Sequence, residues 1–571
     1  MKKYIPILDW LPNYKKKNLS GDLSAGITVG VMLIPQGMAY AMLAGLKPIY
    51  GLYAATVPLI LYAIFGTSRQ LAVGPVAVVS LLIASGVGAL AEIGSDSFLG
   101  MAILLSLMIG VFQLIMGIFK VGFIVNFLSH PVLSGFISAA AVYIAFSQMK
   151  HVLGISIPRG KVHETAYNIY LKFGEINKYT LAVGLGGIVT IIVLKKINKR
   201  IPFPLVVVLL GMGVGYALGL DAMPYNVSIV GDVPDGLPSF TVPTVTYEAV
   251  TSLLPIALTI ALIGFTESIA VAKSIQKKHK NYEIDASQEL LALGIANIGA
   301  SFFQAFPTMG GFARSAVNDQ SGAKTNLAGI ISATVVILTL LFLTPYFYYL
   351  PNAILASIII VAVFGLIDFK EAKHLWKTDR RDFAMFIITA IATLTLGVEQ
   401  GIMVGVGVSI VGLILRVSYP HMAELGLDEQ TRKYLNVERF EHINPADEIL
   451  IVRLDAQLFF ANTRYFLDKL KSLEEKRGDI KAVIIDASGV NGMDSSAVHA
   501  ISDLVEDYQK RNIRFLMTSV KGPVRDILRR TVLRNKIGED NFFLSIDDAL
   551  TYLETNTQKE YKDITLQTNE D

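Results

Sequence analysis

The sequence contains no cysteine, and only 17% of its 571 residues are charged. The first absence excludes disulfides, thiolate metal sites and cysteine nucleophiles. The second excludes an ordinary soluble chain, in which about 25% of residues are charged. Catalytic signatures are missing too: the eight histidines are scattered, with no H-E-x-x-H and no phosphate-binding loop. A net charge of +3 is too small to point to nucleic acid. The chain reads as neither an enzyme nor a nucleic-acid binder, with no metal site and no catalytic residue.

What fills the sequence instead is apolar: 53% of residues are hydrophobic and the mean hydropathy is +0.51. Up to about residue 418 the apolar residues fall in runs of roughly 17–25, each enough to cross a ~30 Å hydrocarbon core. The runs centre near residues 30, 57, 82, 108, 133, 188, 210, 262, 292, 333, 359, 388 and 408. The first, Leu23–Tyr40, has no small-residue cleavage site and leads straight into further runs, so it is a span and not a signal peptide. A polar, glycine-rich stretch, Thr308–Ser321, lies between two good spans. It reads as a fourteenth, broken span whose irregular backbone lines a cavity rather than lipid.

Lysine and arginine set the orientation. Lys2, Lys3, Lys15, Lys16 and Lys17 precede the first span. Arg69, Lys120, Lys195 with Lys196, Lys199 and Arg200, Lys277 with Lys278 and Lys280, and the Lys370–Arg381 segment each follow an even-numbered span. Ala91–Gly100 and Asp221–Glu248 follow odd-numbered spans and contain neither residue, whereas Lys150–Tyr179 is mixed in charge. Fourteen spans with both termini in the cytoplasm satisfy this pattern, and thirteen would invert half the loops.

Beyond about residue 430 the composition becomes that of a soluble domain. Ile449–Leu454, Lys481–Ile485 and Ile513–Ser519 read as strands, and Ala461–Lys476, Ser495–Gln509 and Pro523–Thr531 as helices. The alternation predicts an α/β domain. Polar and charged residues dominate 556–571, where disorder is expected. The loop Asp486-Ala487-Ser488-Gly489-Val490-Asn491-Gly492-Met493-Asp494-Ser495-Ser496-Ala497 leaves a strand and opens a helix, with Asp494 or Ser495 able to cap it.

This loop resembles the signature of STAS domains, which are shared by bacterial anti-sigma-factor antagonists and anion transporters. In the antagonists a serine of the loop is phosphorylated, which makes Ser495 and Ser496 candidate regulatory sites or else helix-capping residues. The membrane part resembles the SulP sulfate-permease family (solute carrier family 26) in three places. These are Pro35-Gln36-Gly37-Met38-Ala39-Tyr40-Ala41, the segment from Pro48-Ile49-Tyr50-Gly51-Leu52-Tyr53 to Phe65-Gly66-Thr67-Ser68-Arg69, and Gly74-Pro75-Val76-Ala77-Val78.

The resemblance implies an all-α polytopic membrane domain of 14 spans, built as a 7+7 inverted repeat with a core and a gate, followed by a cytoplasmic α/β STAS domain. It divides the chain into a cytoplasmic segment 1–20, a transport domain 21–418, a linker 419–447, a STAS domain 448–555 and a tail 556–571. It also implies half-helices at spans three and ten whose N-termini meet near the midplane. There free N–H groups and about half a positive charge favour an anion. On this reading Val76 and Ala77 open one half-helix and Ala313, Arg314 and Ser315 the other, while Gln36 and Tyr40 face the anion from span one. Where many members have hydroxyls this chain has Met309, Gly311 and Ala313, leaving more of the coordination to backbone N–H groups and Ser315.

Two charges inside spans stand out, because such residues are costly in lipid and mark function. Arg314 lies far from any basic loop, as a site residue or a partner in a structural ion pair. Glu267 interrupts the apolar run Leu253–Val271. At that position proton-coupled members of the family have glutamate and a sodium-coupled branch aspartate, so the resemblance implies coupling to H+, with Na+ as the alternative. The expected function is secondary active transport of a small anion (sulfate, bicarbonate, chloride or a dicarboxylate) by alternating access. An uncoupled exchanger or channel-like carrier is the second reading, and a receptor signalling through the STAS domain the third. No cofactor is expected. The expected setting is a homodimer in a lipid bilayer, a bacterial inner membrane, with a regulatory protein partner for the STAS domain.

Overall fold

In lipid every backbone N–H and C=O must be satisfied within the chain, so apolar spans fold as helices. A computed structural model describes residues 4–122, 129–158, 160–197, 202–279, 282–440 and 442–555. The tail 556–571, where disorder is expected, lies outside the described residues, as do Lys2, Lys3, Lys199, Arg200 and Lys280.

Each apolar segment found in the sequence contains helix. The first seven are α1 (Leu19–Ala44), α2 (Pro48–Phe65, interrupted after Tyr53), α3 (Ala77–Gly86), α4 (Asp96–Ile118), α5 (His130–Leu153), α6 (Lys178–Ile197) and α7 (Phe203–Leu218). The next seven are α8 (Tyr247–Gln276), α9 (Ala286–Phe302), α10 (Phe312–Gln320), α11 (Leu327–Phe342), α12 (Asn352–Phe364), α13 (Arg380–Thr395) and α14 (Val398–Ser418). Among the described residues, eight helical stretches are long and apolar enough to cross a membrane. The run centred near residue 133 lies at the start of its helix, since Pro131 at the first turn favours a helix beginning there.

Chain contacts sort these helices into two groups. In one, α1 packs on α11 and α4 on α9, with α2 against α9 and α8 against α4; in the other, α5 packs on α12 and α13, and α6 on α12. Glycines allow the closest approach: a Cβ on Gly110 of α4 would sit 2.7 Å from the Gly294 carbonyl oxygen of α9. Two carboxylates tie the halves together. Asp22 in the first turn of α1 accepts from Lys324 N (2.6 Å), Thr325 N (3.0 Å) and Thr325 Oγ1 (2.7 Å), beyond α10. Glu289 in the first turn of α9 accepts from Tyr62 Oη (2.7 Å) of α2 and from Thr67 N (2.7 Å) and Ser68 N (3.0 Å) just after it. Both carboxylates are buried, and hydrogen bonds satisfy their oxygens.

The chain divides into two units, Met1–Ser409 and Ile410–Asp571. The second contains a six-stranded sheet in the order β4-β3-β5-β6-β7-β8. Its strands are β3 (Met422–Asp428), β4 (Lys433–Asn436), β5 (Ile449–Leu454), β6 (Ala482–Asp486), β7 (Arg514–Thr518) and β8 (Phe542–Phe543); β1 (Val73–Gly74) and β2 (Met309–Gly310) belong to the membrane unit. Strands β5 to β8 run parallel, joined by α15 (Thr463–Arg477), α16 (Ser495–Lys510) and α17 (Gly522–Arg530), with α18 (Leu533–Ile537) following. Period-2 alternation sends Leu450, Val452, Val483, Ile485 and Met517 to the face covered by α15–α17. Ile451, Ile484 and Leu516 go to the other face, under a helix over 546–555.

The segment read as a linker, 419–447, is corrected by this sheet. Residues 422–436 form an antiparallel hairpin whose first strand pairs with β5, Met422 opposite Leu454. Its strands are short, carry charges and close one edge of the sheet, so the sequence lacks the continuous apolar signal of a buried strand.

Candidate functional site

The two broken helices are held together by a miniature sheet. β1 (Val73–Gly74) leads into α3 and β2 (Met309–Gly310) into α10, and the two pair antiparallel, Val73 opposite Gly310. The half-helices thus enter from opposite directions with their N-termini converging. Val76 is the N-cap of α3 and Ala77 its first residue; Gly311 caps α10, so its first turn is Phe312, Ala313 and Arg314. Neither cap residue has a side chain that accepts a hydrogen bond from the first turn. The N–H groups of each first turn therefore remain directed at the space in front.

Arg314 is 2% exposed. Its Nη1 donates to the Pro75 carbonyl at 2.6 Å, just ahead of α3, while Nε and Nη2 are buried without a partner. Gly311 makes room for the group: a Cβ there would lie 2.8 Å from Nη2. Among the described residues no ion pair holds Arg314, the alternative its sequence position left open. Glu267 on α8 faces the same region, its Oε2 buried and unpartnered, and its charge acts on both Arg314 and Tyr40. From α1, Tyr40 is buried and Gln36 presents a buried, unpartnered Oε1. Native proteins leave few buried polar groups unsatisfied. Here orphaned atoms of Gln36, Glu267 and Arg314 come from α1, α8 and the first turn of α10.

Ser315 does not join this set. Its hydroxyl donates to the Gly311 carbonyl at 2.7 Å and accepts from Ala72 N at 2.9 Å. Having spent its proton within the fold, it braces α10 against the strand before α3, and its expected part as a donor to an anion is corrected accordingly. Ala313 is exposed and offers backbone only.

Three further residues hold the site without having been read from the sequence. Asn297 of α9 accepts from Thr308 N at 2.8 Å and donates to the Thr308 carbonyl and to Gln113 Oε1 of α4, both at 3.1 Å. Ser268, next to Glu267, accepts from Gly310 N at 2.9 Å. A lone amide within an apolar span, as at Gln113 and Asn297, is the signal that marks them. Asn297→Ala is expected to cost about 1–3 kcal/mol by stranding the Thr308 and Gln113 groups. The readout is the thermal midpoint of the purified protein; an unchanged midpoint would show that the network is dispensable.

In the soluble unit, Asp494 caps α16, accepting from Ala497 N at 2.8 Å. Ser495 and Ser496 are relieved of capping and lie exposed on its first turn.

Converging half-helix N-termini inside an apolar helical bundle are an arrangement found in membrane transporters. The profile of the Sulfate permease family matches residues 19–389, and that of the STAS domain residues 439–549. The chain belongs to the sulfate permease family, and it is a transporter rather than an enzyme. It is 39% identical to "Sulfate transporter 4.1, chloroplastic" of Arabidopsis thaliana over 565 residues, covering 95% of this chain and 82% of that one. It is 32% identical to "High affinity sulfate transporter 2" of Stylosanthes hamata over 571 residues, covering 95% and 85%. The solved structure of the murine Solute Carrier 26 family member A9 anion transporter in the inward-facing state superposes with a TM-score of 0.88 at 26% identity. It covers 97% of this chain and 94% of that one. The transmembrane domain of the cyanobacterial bicarbonate transporter BicA shares the fold, with a TM-score of 0.60 at 23% identity over 70% of this chain and 98% of that one.

Proposed function

We propose that this anion transporter carries sulfate or a closely similar small anion by proton-coupled symport. The anion sits before the N-termini of α3 and α10 beside Arg314, and access alternates as the two helix groups move. The observation that carries the reading is the buried guanidinium of Arg314 with two of its nitrogens unpartnered. The names of the plant relatives favour sulfate over bicarbonate or a dicarboxylate, and Glu267 supplies a titratable group beside the anion. The test is uptake of labelled sulfate into proteoliposomes against a panel of competing anions, under imposed proton or sodium gradients. Uptake indifferent to both gradients would favour uncoupled exchange.

The same reading gives fourteen spans in a cell membrane with both termini cytoplasmic. The STAS domain then has a regulatory role, through a protein partner or phosphorylation of Ser495 or Ser496. A phosphate on either would lie at a helix N-terminus, where negative charge is favoured. Truncation after Ser418 is expected to leave sulfate affinity unchanged, because no site residue lies beyond it; a cut near residue 440 would strand β3 and β4 without β5. Complete loss of binding by a monodisperse 1–418 protein would refute this division of labour. Light scattering on the same preparations tests the homodimer, since a monomer alone in detergent and lipid would refute it.

A further inference from the structure

The connection between α12 and α13 contains a ten-residue helix, Phe369–Thr378. Its rise is about 15 Å, half of a ~30 Å hydrocarbon core, so it joins α12 to α13 without crossing the membrane itself. Asp368 caps it, accepting from Glu371 N at 2.9 Å. The segment Asp368–Asp382 contains five lysines and arginines and four carboxylates, which nearly cancel. Their directions do not.

Of the other carboxylates, Asp379 accepts from Arg381 N at 2.8 Å, Glu371 pairs with His130 Nδ1 of α5 at 3.2 Å, and Asp382 is half-buried. Asp368 N also donates to Ser138 Oγ of α5 at 3.2 Å, which fixes the helix to its neighbour. Lys370, Lys373, Lys377, Arg380 and Arg381 are all exposed, and among the described residues none of them is in an ion pair.

Helical periodicity divides the surface into three faces. Glu371 and Leu375, four residues apart, turn inward, and Leu375 is buried. Phe369 and Trp376, seven residues apart, share a second face and are 77% and 56% exposed. Lys370, Lys373 and Lys377 form the third, beside the aromatic pair. Trp376 packs edge-on against Phe383 at 5.0 Å, and the Arg380 guanidinium lies 5.8 Å from its ring, so the basic row continues into α13. A helix with an aromatic edge and a basic face lies in the membrane interface, its rings at the acyl boundary and its charges among the headgroups. Water would leave two large rings exposed, whereas an anionic leaflet covers the rings and matches the charges.

We propose that Lys370, Lys373, Lys377, Arg380 and Arg381 form a binding site for the phosphate headgroups of anionic phospholipids, with Phe369 and Trp376 seated in the same leaflet. The proposal rests on the chain's place in a membrane, and on neither the choice of sulfate nor proton coupling.

The sequence has two tryptophans, Trp10 and Trp376, so Trp10→Phe leaves Trp376 as the reporter. The full chain is reconstituted in phosphatidylcholine bilayers containing either phosphatidylglycerol or phosphatidylcholine brominated near the top of the acyl chains. Quenching of Trp376 fluorescence is the readout. Brominated phosphatidylglycerol is expected to reach half-maximal quenching at about one-fifth of the mole fraction that brominated phosphatidylcholine requires, the preference a single basic residue confers at a membrane surface. Lys370→Gln/Lys373→Gln/Lys377→Gln should remove most of the difference, and Lys370→Arg/Lys373→Arg/Lys377→Arg should retain it. No quenching by either lipid would place the helix off the bilayer, and equal quenching by both would deny it a preference for anionic lipid; each result overturns the site. An undiminished preference in the glutamine variant would overturn its assignment to these lysines. Loss of the preference on adding inorganic phosphate would make the ligand a soluble anion, which overturns the lipid site as well.

Discussion

Arg314→Ala is expected to weaken anion binding roughly ten- to a hundred-fold, the equivalent of losing charge-assisted hydrogen bonds of about 1.5–3 kcal/mol. The guanidinium brings a permanent positive charge to the half-helix N-termini, with Nη1 held by the Pro75 carbonyl and the other nitrogens unspent. Insertion should survive, because the turn before α10 keeps the Ser315 bonds to Ala72 and Gly311. Arg314→Lys keeps the charge and loses the planar fork, so its affinity should fall between wild type and alanine. The alanine variant also leaves Glu267 without a nearby cation, which adds repulsion towards the anion. Arg314→Ala paired with Glu267→Gln should therefore recover part of the loss, and the double-mutant cycle measures how much. Labelled-sulfate binding to monodisperse protein is the measurement. Wild-type affinity in the alanine variant would remove Arg314 from the site.

Much of this centre was legible because lipid penalises what water tolerates. An arginine in Thr308–Ser321 and a glutamate in Leu253–Val271 are conspicuous against apolar spans, and both face the half-helix N-termini in the fold. The serine beside the arginine was misread for a physical reason: sequence shows a hydroxyl but not where its proton goes. Ser315 directs it to the carbonyl four residues back, a bond any serine in a helix can make. The brace of Gln113, Asn297 and Thr308 joins α4 and α9 to the residue before β2, and Gln113 and Asn297 are 184 positions apart. No local pattern shows such a pairing.

The soluble domain divides in the same way. Its parallel strands are buried on both faces and read as apolar runs, so Ile449–Leu454 in the sequence is β5 in the structure. The hairpin 422–436 is an edge element stabilised by pairing with β5, which lies beyond it in the chain. Its identity rests on a partner rather than on its own composition, and the STAS profile too begins later, at residue 439. In the α16 turn, sequence allowed Asp494 or Ser495 as the cap. The aspartate takes the position because its second oxygen also accepts from Phe460 N at 2.9 Å.

Glu267→Gln is expected to abolish proton-driven accumulation while leaving anion binding intact. Glu267 lies on α8 beside Ser268, whose hydroxyl holds Gly310 of β2, so the carboxylate is fixed to the strand that opens α10. A charged carboxylate there repels an anion at the half-helix N-termini, and a protonated one does not. On the proposed reading proton and anion then favour each other's binding, by the same factor in both directions. A carrier that crosses readily only with both bound, or with neither, converts that factor into symport. Glutamine keeps the shape and the neutral state permanently, so binding should lose its pH dependence and net uptake its response to an inward proton gradient. Exchange of labelled for unlabelled sulfate should persist, since exchange requires no proton release. The decisive measurement is uptake against a concentration gradient, wild type beside variant, with protons and then sodium as the driving ion. Equal accumulation by both proteins would make Glu267 structural and the transporter an uncoupled exchanger. Sodium-driven uptake by the wild type, abolished in the variant, would keep the site and replace the ion.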